Sequence, residues 1–581
     1  MRKPLFLRIS ALILSISLSV LSLAGCGSSE KVYKESITVD VFDSLANYQG
    51  IQNGWFGKAV EDKFNMKLNI IAPNVSGGGS NLFDTRCAAG NLGELIICNG
   101  DANTLTHLVN SGLIVDMSSY LEGKDILKNY STAIDSLNNI FTEGSIYAIP
   151  SEISTGSPIT SSETLEPVYG PYIRWDYYKE LGYPEMETLE DLLPVLKAMQ
   201  EAHPYSDSGE KVYGFSFFSY WDGNLVNCVK QPCFFYGYDE VGYVLAKADG
   251  SDFQSIIDSD GIYVRVLRFF NEAYRMGLVD PESSTQNLES VSNKVKDGAV
   301  LFNFWPWLSQ TLYNTEENMN NGKGYMFAPI NDLEVLSYGC NVYGSQQTVI
   351  CIGKNAKDID RLADFIDWLY SDEGIYYNNA QASQAAAGPE GWTWEMTENG
   401  PALTDFGKTC FIDMYAEIPE EMGGGTWEDG VSALNYKPVS NSEIASNGYP
   451  YTYTLWDSYL ETRYTALDLD WQGITGATTT MNYLRDNDRI IVAPGCQYVA
   501  PTESEDITAI RNQCNTVISK YCWQMIYAGD EETFDSLLSE MQETLDYLDY
   551  DTVFQADMKN AKSQDMARKN AAAREAVYQA D

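Results

Sequence analysis

The stretch that decides the fold is residues 141–197, FTEGSIYAIPSEISTGSPITSSETLEPVYGPYIRWDYYKELGYPEMETLEDLLPVLK. A short apolar strand ends at Pro150, a polar segment follows, and a second strand at 172–175 leads into a helix that ends near Gly182. The sequence TLED at 188–191 is a capping box, which starts another helix. The chain before this stretch is typical of one α/β lobe, and the chain after it begins a second. A strand that leaves one lobe to start another predicts a hinged, two-lobed protein.

Composition and charge exclude several classes of function. The chain has 581 residues, which is too long for one ordinary domain, and its net charge is −43. Such acidity argues against nucleic acid as a partner, because few cations could neutralise phosphates. Only two histidines occur, His107 and His203, so a zinc site or histidine acid–base catalysis has little support. The ten cysteines after Cys26 contain no C-x-x-C pair, and their disulfide connectivity stays open.

The amino terminus has the pattern of a lipoprotein signal peptide. Basic residues at 2–3 precede an apolar run at 9–23, and LAGC closes the run at 23–26. This ending resembles the lipobox of bacterial lipoproteins, which implies cleavage before Cys26 and diacylglyceryl on its sulfur. A plain secretory signal is the alternative. The sequence thus predicts a signal peptide at 1–25, a tether at 26–35, and a protein held by lipid on the extracellular face of the cell membrane.

Alternating strands and helices after the tether predict the first lobe. Strand patterns at 37–41, 66–70 and 94–98 are separated by helical patterns, which favours a mostly parallel sheet with helices on both faces. In such sheets ligands lie beyond the carboxyl ends of the strands. The loops there supply four candidate ligand-binding residues, which are Asp43, Asn47, Tyr48 and Asp101. Helix capping is an equally good explanation for the two aspartates.

Several segments resemble a known family. They include AAGNLGELIICNG at 88–100, IYAIPSE at 146–152, SDEG at 371–374, PEGWTW at 389–394 and a long closing segment that starts APTESEDITAIRNQC at 500. In this order they resemble the extracellular solute-binding proteins of ABC sugar importers (family 1 type), above all the lipid-anchored oligosaccharide-binding branch. The resemblance spans nearly the whole chain after the signal peptide.

The resemblance implies an α/β fold with two lobes, of the type II periplasmic-binding-protein kind, and a helical extension at the carboxyl end. The lobes would be joined by crossing strands and would hold a carbohydrate between them. We expect the first lobe to comprise 36–149 plus 321–356. The second would comprise 150–320 plus 357–581, including the closing helices.

Aromatic side chains in the second lobe are the best candidates for stacking on sugar rings. In the family, the segment that matches DGAVLFNFWPWL carries an aromatic facing the sugar, which points to Trp305 and Trp307. Packing in the core is the alternative for both. Further candidate ligand-binding residues are Glu152, Tyr220, Trp221 and Trp392.

The sequence favours binding over catalysis. A glycosidase needs two carboxylates about 5–10 Å apart, and Glu152 and Asp176 are the best-placed acids, so a cell-surface hydrolase or lyase stays the alternative. No G-x-S-x-G or Walker A motif occurs, so ATP hydrolysis would belong to partner subunits. We therefore predict a monomeric, non-enzymatic binding protein that closes on an oligosaccharide and delivers it to an ABC permease.

The ligand's charge is predicted from the candidate cleft segments, which are 43–48, 99–101, 147–153, 220–222, 303–307 and 391–394. They contain no Lys or Arg, and Arg174, the nearest basic residue, has Asp176 beside it, so we expect a neutral oligosaccharide. Lys437 or Arg463 from the carboxyl-terminal half could overturn this expectation. No cofactor or metal is expected, because the loop AHPYSDSGEKVYGF at 202–215, where alginate-binding relatives bind calcium, has only Asp207 and Glu210 as acids.

Overall fold

The structure, a computed structural model, describes residues 31–76, 79–142, 144–381, 385–412, 416–460, 462 and 464–578. The predicted signal peptide and Cys26 lie outside the described residues, as does Arg463. Within the described residues, no helix has the length and hydropathy needed to cross a membrane.

Sixteen strands occur in the described part of the chain: β1 (Ile37–Asp43), β2 (Gly50–Ile51), β3 (Met66–Ile71), β4 (Leu95–Cys98), β5 (Ile149–Ser151), β6 (Tyr172–Arg174), β7 (Tyr238–Val241), β8 (Val244–Lys247), β9 (Phe253–Ser255), β10 (Phe302–Asn303), β11 (Tyr325–Phe327), β12 (Val335–Tyr338), β13 (Ser345–Ile352), β14 (Trp394–Thr397), β15 (Gly400–Leu403) and β16 (Ile490–Ala493).

The α-helices in the same residues are α1 (Gly54–Phe64), α2 (Pro73–Ser76), α3 (Gly79–Ala88), α4 (Ala102–Asn110), α5 (Ser118–Leu121), α6 (Asp125–Asn138), α7 (Trp175–Glu180), α8 (Leu192–Ala202), α9 (Asn227–Phe234), α10 (Ile262–Arg275), α11 (Leu288–Lys296), α12 (Gln310–Tyr313), α13 (Glu316–Asn320), α14 (Ile359–Leu369), α15 (Asp372–Asn378), α16 (Asp405–Ile412), α17 (Trp427–Gly430), α18 (Asp457–Leu460), α19 (Ala466–Thr475), α20 (Thr480–Asp486), α21 (Glu505–Ile526), α22 (Glu531–Tyr547) and α23 (Tyr550–Tyr578).

The first lobe is built on a six-stranded sheet in the order β2-β3-β1-β4-β13-β5. Its centre is parallel, because β1 pairs in parallel with β3 and β4, whereas β2 and β13 make antiparallel pairings. The expectation of a mostly parallel sheet is therefore correct for the centre only. Alternating buried residues of β1 and β3 pack under α1 and α14, as the period-two pattern of these strands predicts.

The second lobe surrounds a three-stranded antiparallel sheet in the order β10-β6-β11. β6 is the second strand predicted within the stretch 141–197, and the predicted capping box is present at Thr188. The core around this sheet is the largest in the molecule and takes in residues between 172 and 335 and between 467 and 553.

Two elements lie in the opposite lobe from the one expected. β11, within the segment 321–356, pairs with β6 of the second lobe instead of joining the first-lobe sheet. Helix α14, predicted to cross to the second lobe, packs through Leu362, Phe365 and Ile366 in the first-lobe core. Described residues between 375 and 456 also belong to this lobe, since Cys410, Trp427 and Tyr436 lie in its core.

Three segments lie side by side between the lobes. Ser154 N donates to Asn341 O (3.0 Å) and Ser162 N donates to Tyr338 O (2.9 Å), so the outgoing chain pairs with the returning one. Gly495 N donates to Pro158 O (2.9 Å) and adds the third segment. We call residues 152–163, 337–344 and 493–497 the crossing segments.

The closing helices α21, α22 and α23 pack on the second lobe. α21 buries Cys514, Ile518 and Cys522 against its core, as the helical period predicts. α23 continues without interruption past Lys562 to Tyr578. The reason is a buried partner beyond that point, since Arg568 Nη2 donates to Asp239 Oδ2 of β7 (2.5 Å).

Candidate functional site

Three tryptophans of the second lobe form one cluster, which we call the aromatic platform: Trp221, Trp305 and Trp307. The rings of Trp305 and Trp307 stack with centroids 5.4 Å apart, and Trp221 lies 6.0 Å from Trp307 and 6.1 Å from Trp305. Phe218 packs edge-on against Trp221 at 4.9 Å. Sugar rings present apolar C–H faces that stack on such side chains. Of the predicted aromatic candidates, the structure therefore brings these three together, and Tyr220, 61% exposed, adjoins them in sequence.

Parallel strand-like segments create the platform. The extended chain at 213–217 runs parallel to the chain at 299–301, and Leu301 N donates to Tyr213 O (2.9 Å). Both segments therefore end at the same edge, where Phe218 and Trp221 follow one and Trp305 and Trp307 follow the other. The next helix starts only at Gln310, so Trp305 and Trp307 lie in an irregular turn.

Trp305 and Trp307 have different roles in this cluster. Trp305 is only 5% exposed and belongs to the second-lobe core, whereas Trp307 and Trp221 are half-buried. The core alternative thus fits Trp305, which forms the floor under the other two rings. The exposed faces belong to Trp221 and Trp307.

The carboxyl edge of the first-lobe sheet carries the other candidates. Asp43 ends β1 and is fully buried, and its oxygens accept hydrogen bonds from Asn435 N (2.7 Å) and Leu45 N (3.3 Å). Burial raises the pKa of Asp43 to about 7. Its carboxylate is engaged inside the protein, so the structure favours a structural role over ligand contact. Asn47 is exposed, and Tyr48, 38% exposed, donates from its hydroxyl to Ile51 O.

Asp101 caps α4. Its Oδ1 accepts from Thr104 N (2.9 Å) and its Oδ2 accepts from Thr104 Oγ1 (2.7 Å), which is the capping alternative stated above. Asn103 is the second residue of α4, and its Oδ1 accepts a hydrogen bond from Glu503 N (2.6 Å). This bond joins the first-lobe edge to the segment that opens α21.

Glu152 pairs with Lys437, one of the two cations that the sequence suggested could reach the cleft. Glu152 adopts a left-handed backbone conformation (φ 51°), and its Oε1 lies 2.9 Å from Lys437 Nζ. The chain from 431 to 440 runs along the sheet edge, with Glu152 N donating to Lys437 O and Ile153 N to Pro438 O. No local motif marks residues 431–440 as part of the edge, because their position depends on pairing with strands nearly 300 residues earlier. The cleft edge therefore does contain a lysine, although Glu152 offsets its charge.

Trp392 does not join the platform. It packs in the first lobe against Trp55, Trp427 and the stacked ring of Phe406, at 6.2, 6.0 and 5.2 Å. The structure thus separates Trp392 from the other aromatic candidates, and packing explains its position.

The acids give little support to paired-carboxylate chemistry. Glu152 pairs with Lys437, and Asp176 accepts a bidentate hydrogen bond from Arg174, which is 2% exposed. The expected pairing of Arg174 is confirmed. In the part of the chain that the structure describes, no cluster of three or more His, Cys, Asp or Glu side chains could hold a metal ion. In the loop 202–215, Asp207 pairs with Lys323 Nζ at 3.0 Å.

Comparison with known proteins identifies the fold. No family model and no curated protein matches the chain. A solved structure of alginate-binding protein AlgQ2 without calcium ion matches 93% of this chain and 100% of its own, with a TM-score of 0.59 and 14% identity. The ABC-transporter substrate binding protein FusA of S. pneumoniae, an EF-hand mutant in complex with fructo-nystose, matches 92% of this chain and 100% of its own, with a TM-score of 0.59 and 16% identity.

A third match is the N-glycan transport solute binding protein NgtS of Streptococcus pneumoniae in complex with Man1GlcNAc. It covers 92% of this chain and 99% of its own, with a TM-score of 0.51 and 12% identity. The chain has the fold of ABC-transporter substrate-binding proteins. The predicted α/β class with two lobes and a helical carboxyl-terminal extension is thus confirmed, over nearly the whole length of these substrate-binding proteins.

Proposed function

We propose that this protein is the substrate-binding component of an ABC importer and captures an oligosaccharide between its two lobes. The observation that carries the proposal is the aromatic platform, which offers two half-buried indole faces at a strand-end edge of this fold. Among the structural neighbours, one is an alginate-binding protein, one is in complex with fructo-nystose and one is an N-glycan transport protein.

Helix α21 connects the platform to the first-lobe edge. Asn515 Nδ2 donates to Asn224 Oδ1 in the loop after Trp221 (3.3 Å). One turn earlier Arg511 pairs with Glu503, whose backbone N–H donates to Asn103 of the first lobe. Through α21 and the segment that opens it, the loop beside the platform is linked to the carboxyl edge of the first-lobe sheet. A ligand that contacts both would stabilise the closed state by its differential affinity for that state.

The lobe boundaries that follow from the packing differ from those expected. We assign residues 36–151 and 345–456 to the first lobe, because their apolar side chains share its cores. Residues 172–335 and 466–578 form the second lobe. The crossing segments lie between them and would act as the hinge.

The proposed ligand is a neutral oligosaccharide. An anionic sugar needs unpaired Arg or Lys side chains to offset its desolvation. Lys437 pairs with Glu152, Arg174 pairs with Asp176, and Lys230, which lies near Asp222, pairs with Glu240. The net charge of −43 further disfavours a polyanion at low salt.

Lipid on Cys26 is the proposed anchor, which would hold the protein on the extracellular face of the membrane. The proposed protein is a monomer, and its partners are the ABC permease and the membrane. Cys26→Ser would release the protein or leave the precursor unprocessed. Cell fractionation and the mass of the amino-terminal peptide measure both. Unchanged processing and retention in the variant would contradict the lipoprotein assignment.

Thermal-shift screening of residues 31–581 against neutral and uronate oligosaccharides tests the function. A bound ligand stabilises the fold by RT ln(1 + [L]/Kd), so at least one neutral member should raise the melting temperature. Chromatography of the same wells separates binding from the hydrolase or lyase alternative, which would consume that sugar. Consumption of a panel member, or no shift with any, would contradict the proposal.

A further inference from the structure

The loop that carries Trp221 is held from outside the platform by helix α21. Asp222 follows Trp221 directly, and its Oδ2 accepts a hydrogen bond from Trp523 Nε1 (2.9 Å). Its Oδ1 accepts from Asn227 N (2.8 Å), the first residue of α9. One carboxylate therefore ties the loop to α9 on one side and to α21 on the other.

Helix α21 is itself a rigid support. Trp523 is 9% exposed and stacks on Tyr527 with ring centroids 5.9 Å apart. Asn271 of α10 donates from Nδ2 to the carbonyls of Met525 (3.0 Å) and Ala528 (2.7 Å), which fixes the end of the helix. The Trp523 indole is thus positioned by packing and not by the loop.

We propose that Trp523, acting through Asp222, is a positioning residue that holds Trp221 in place for ligand stacking. This inference rests on the proposed function. It assigns the carboxyl-terminal extension a part in ligand binding, although Trp523 itself does not touch the platform rings. Without the hydrogen bond, the loop would have to be ordered when the ligand binds, and that ordering would weaken the observed affinity.

The environment of Asp222 supports this role. Burial raises the pKa of Asp222 to about 6, and hydrogen bonds from Asn227 and Trp523 and the charge of Lys230 lower it less. The titratable groups that face Asp222 are Lys230 and Cys228 of α9, Tyr263 of α10 and Cys522 of α21. Because burial also raises the pKa values of both thiols and of the Tyr263 hydroxyl, those three stay neutral where Asp222 titrates.

The test compares three variants in the protein from residue 31 onward, using the neutral oligosaccharide that most stabilises the wild type. Trp523→Phe removes only the indole donor, and Asp222→Asn keeps the side-chain shape but loses one acceptor oxygen. Trp456→Phe is the matched control, because it removes a similar indole hydrogen bond (2.8 Å to Pro450 O) in the first lobe. Calorimetry measures the Kd of each at pH near 7.5.

We expect Trp523→Phe and Asp222→Asn each to weaken binding about tenfold, as loss of one charged hydrogen bond does. The double variant should lose no more affinity than the single variant that binds more weakly, because both changes break the same hydrogen bond. Trp456→Phe should bind like the wild type. Affinities equal to that of the control, or additive losses in the double variant, would overturn the inference.

A pH profile distinguishes positioning from a general loss of stability. Ionised Asp222 is the stronger acceptor, so wild-type affinity should fall as pH decreases from about 7.5 to about 5. Asp43, whose pKa is about 7, titrates in the same range. The decisive quantity is therefore the difference between the wild-type and Asp222→Asn profiles, which should shrink as pH falls; a constant difference would contradict the role of Asp222.

Failure of the inference and failure of the proposed function give different results. If the wild type binds no oligosaccharide, the proposed function fails and the inference fails with it. If the wild type binds and the variants bind equally well, only the inference fails. Should one of the two variants not fold, the other decides.

Discussion

At the scale of single residues, burial separates the side chains that can meet a ligand from those that hold the fold. Trp305 and Trp307 are two positions apart and stack on each other, yet only Trp307 keeps an accessible face. Sequence spacing could not distinguish them, because both follow the same buried strand. The distinction depends on packing with Phe218 and Trp221, which come from a segment some 80 residues earlier.

Trp307→Ala should weaken oligosaccharide binding by on the order of 2 kcal/mol, because it removes a stacking face. Its melting temperature without ligand should change little, since the side chain is half-buried. Calorimetry and thermal unfolding of the same sample measure both quantities.

Trp305→Ala is the matched comparison and should lower the melting temperature more, since it leaves a cavity in the core. If Trp305→Ala weakens binding while the fold keeps its full stability, the floor role is wrong.

Glu163 predicts a pH dependence of stability in a crossing segment. Its carboxylate oxygens are enclosed, and burial raises its pKa to about 8 from an ordinary 4.5. The folded protein therefore retains a proton that the unfolded chain releases. The contribution of protonated Glu163 to stability is complete below about pH 4.5 and is lost as pH rises toward 8. Glu163→Gln should gain stability relative to the wild type over that range, measured by thermal unfolding. A difference that does not vary with pH would contradict the assignment.

At the scale of elements, local patterns predicted most helices and strands but not all their partners. β1 and β3 have the expected positions, because each alternates apolar and polar residues between clear boundaries. β11 and α14 went to the opposite lobes from those predicted, since an apolar strand or amphipathic helix does not specify which sheet it will cover.

The candidate site was predicted in part for the same reason. The motif FWPW and the pair Tyr220–Trp221 pointed to the side chains that form the platform. Lys437 was named only as a possible exception to an uncharged cleft, without its partner Glu152, and Trp523 was not named. Both reach it through pairings with residues about 300 positions away. The residues around a lysine or a tryptophan do not indicate which distant residue its side chain will contact.

The carboxyl-terminal helix α23 should depend on one buried ion pair. Arg568 and Asp239 have side chains 7% and 9% exposed, and Tyr338 also donates to Asp239. Arg568→Ala would leave a buried carboxylate with a single neutral donor, which should cost about 3 kcal/mol in the free energy of unfolding by urea.

Lys569→Ala is the control, because its pair with Asp565 lies at the next position of the same helix and the lysine is 57% exposed. It should change the free energy of unfolding by less than about 0.5 kcal/mol. Equal effects of the two substitutions would show that the buried pair does not hold α23.

At the scale of the whole molecule, the proposed function requires closure of two lobes around a sugar. The lobes have separate cores and are connected by the crossing segments. α21 bonds to the loop after Trp221, and the segment that opens α21 bonds to the first-lobe edge. That arrangement allows the distance between the platform and the first-lobe edge to change without disturbing either core. The same fold is found in the substrate-binding proteins FusA and NgtS.

Small-angle X-ray scattering with and without a saturating neutral oligosaccharide tests this claim most directly. The sample is the protein from residue 31 onward, and the ligand is the panel member that most raises its melting temperature. The account predicts that the radius of gyration decreases on binding and that the sugar is recovered unchanged. A radius of gyration that stays constant at saturation, or a sugar that is cleaved, would contradict it.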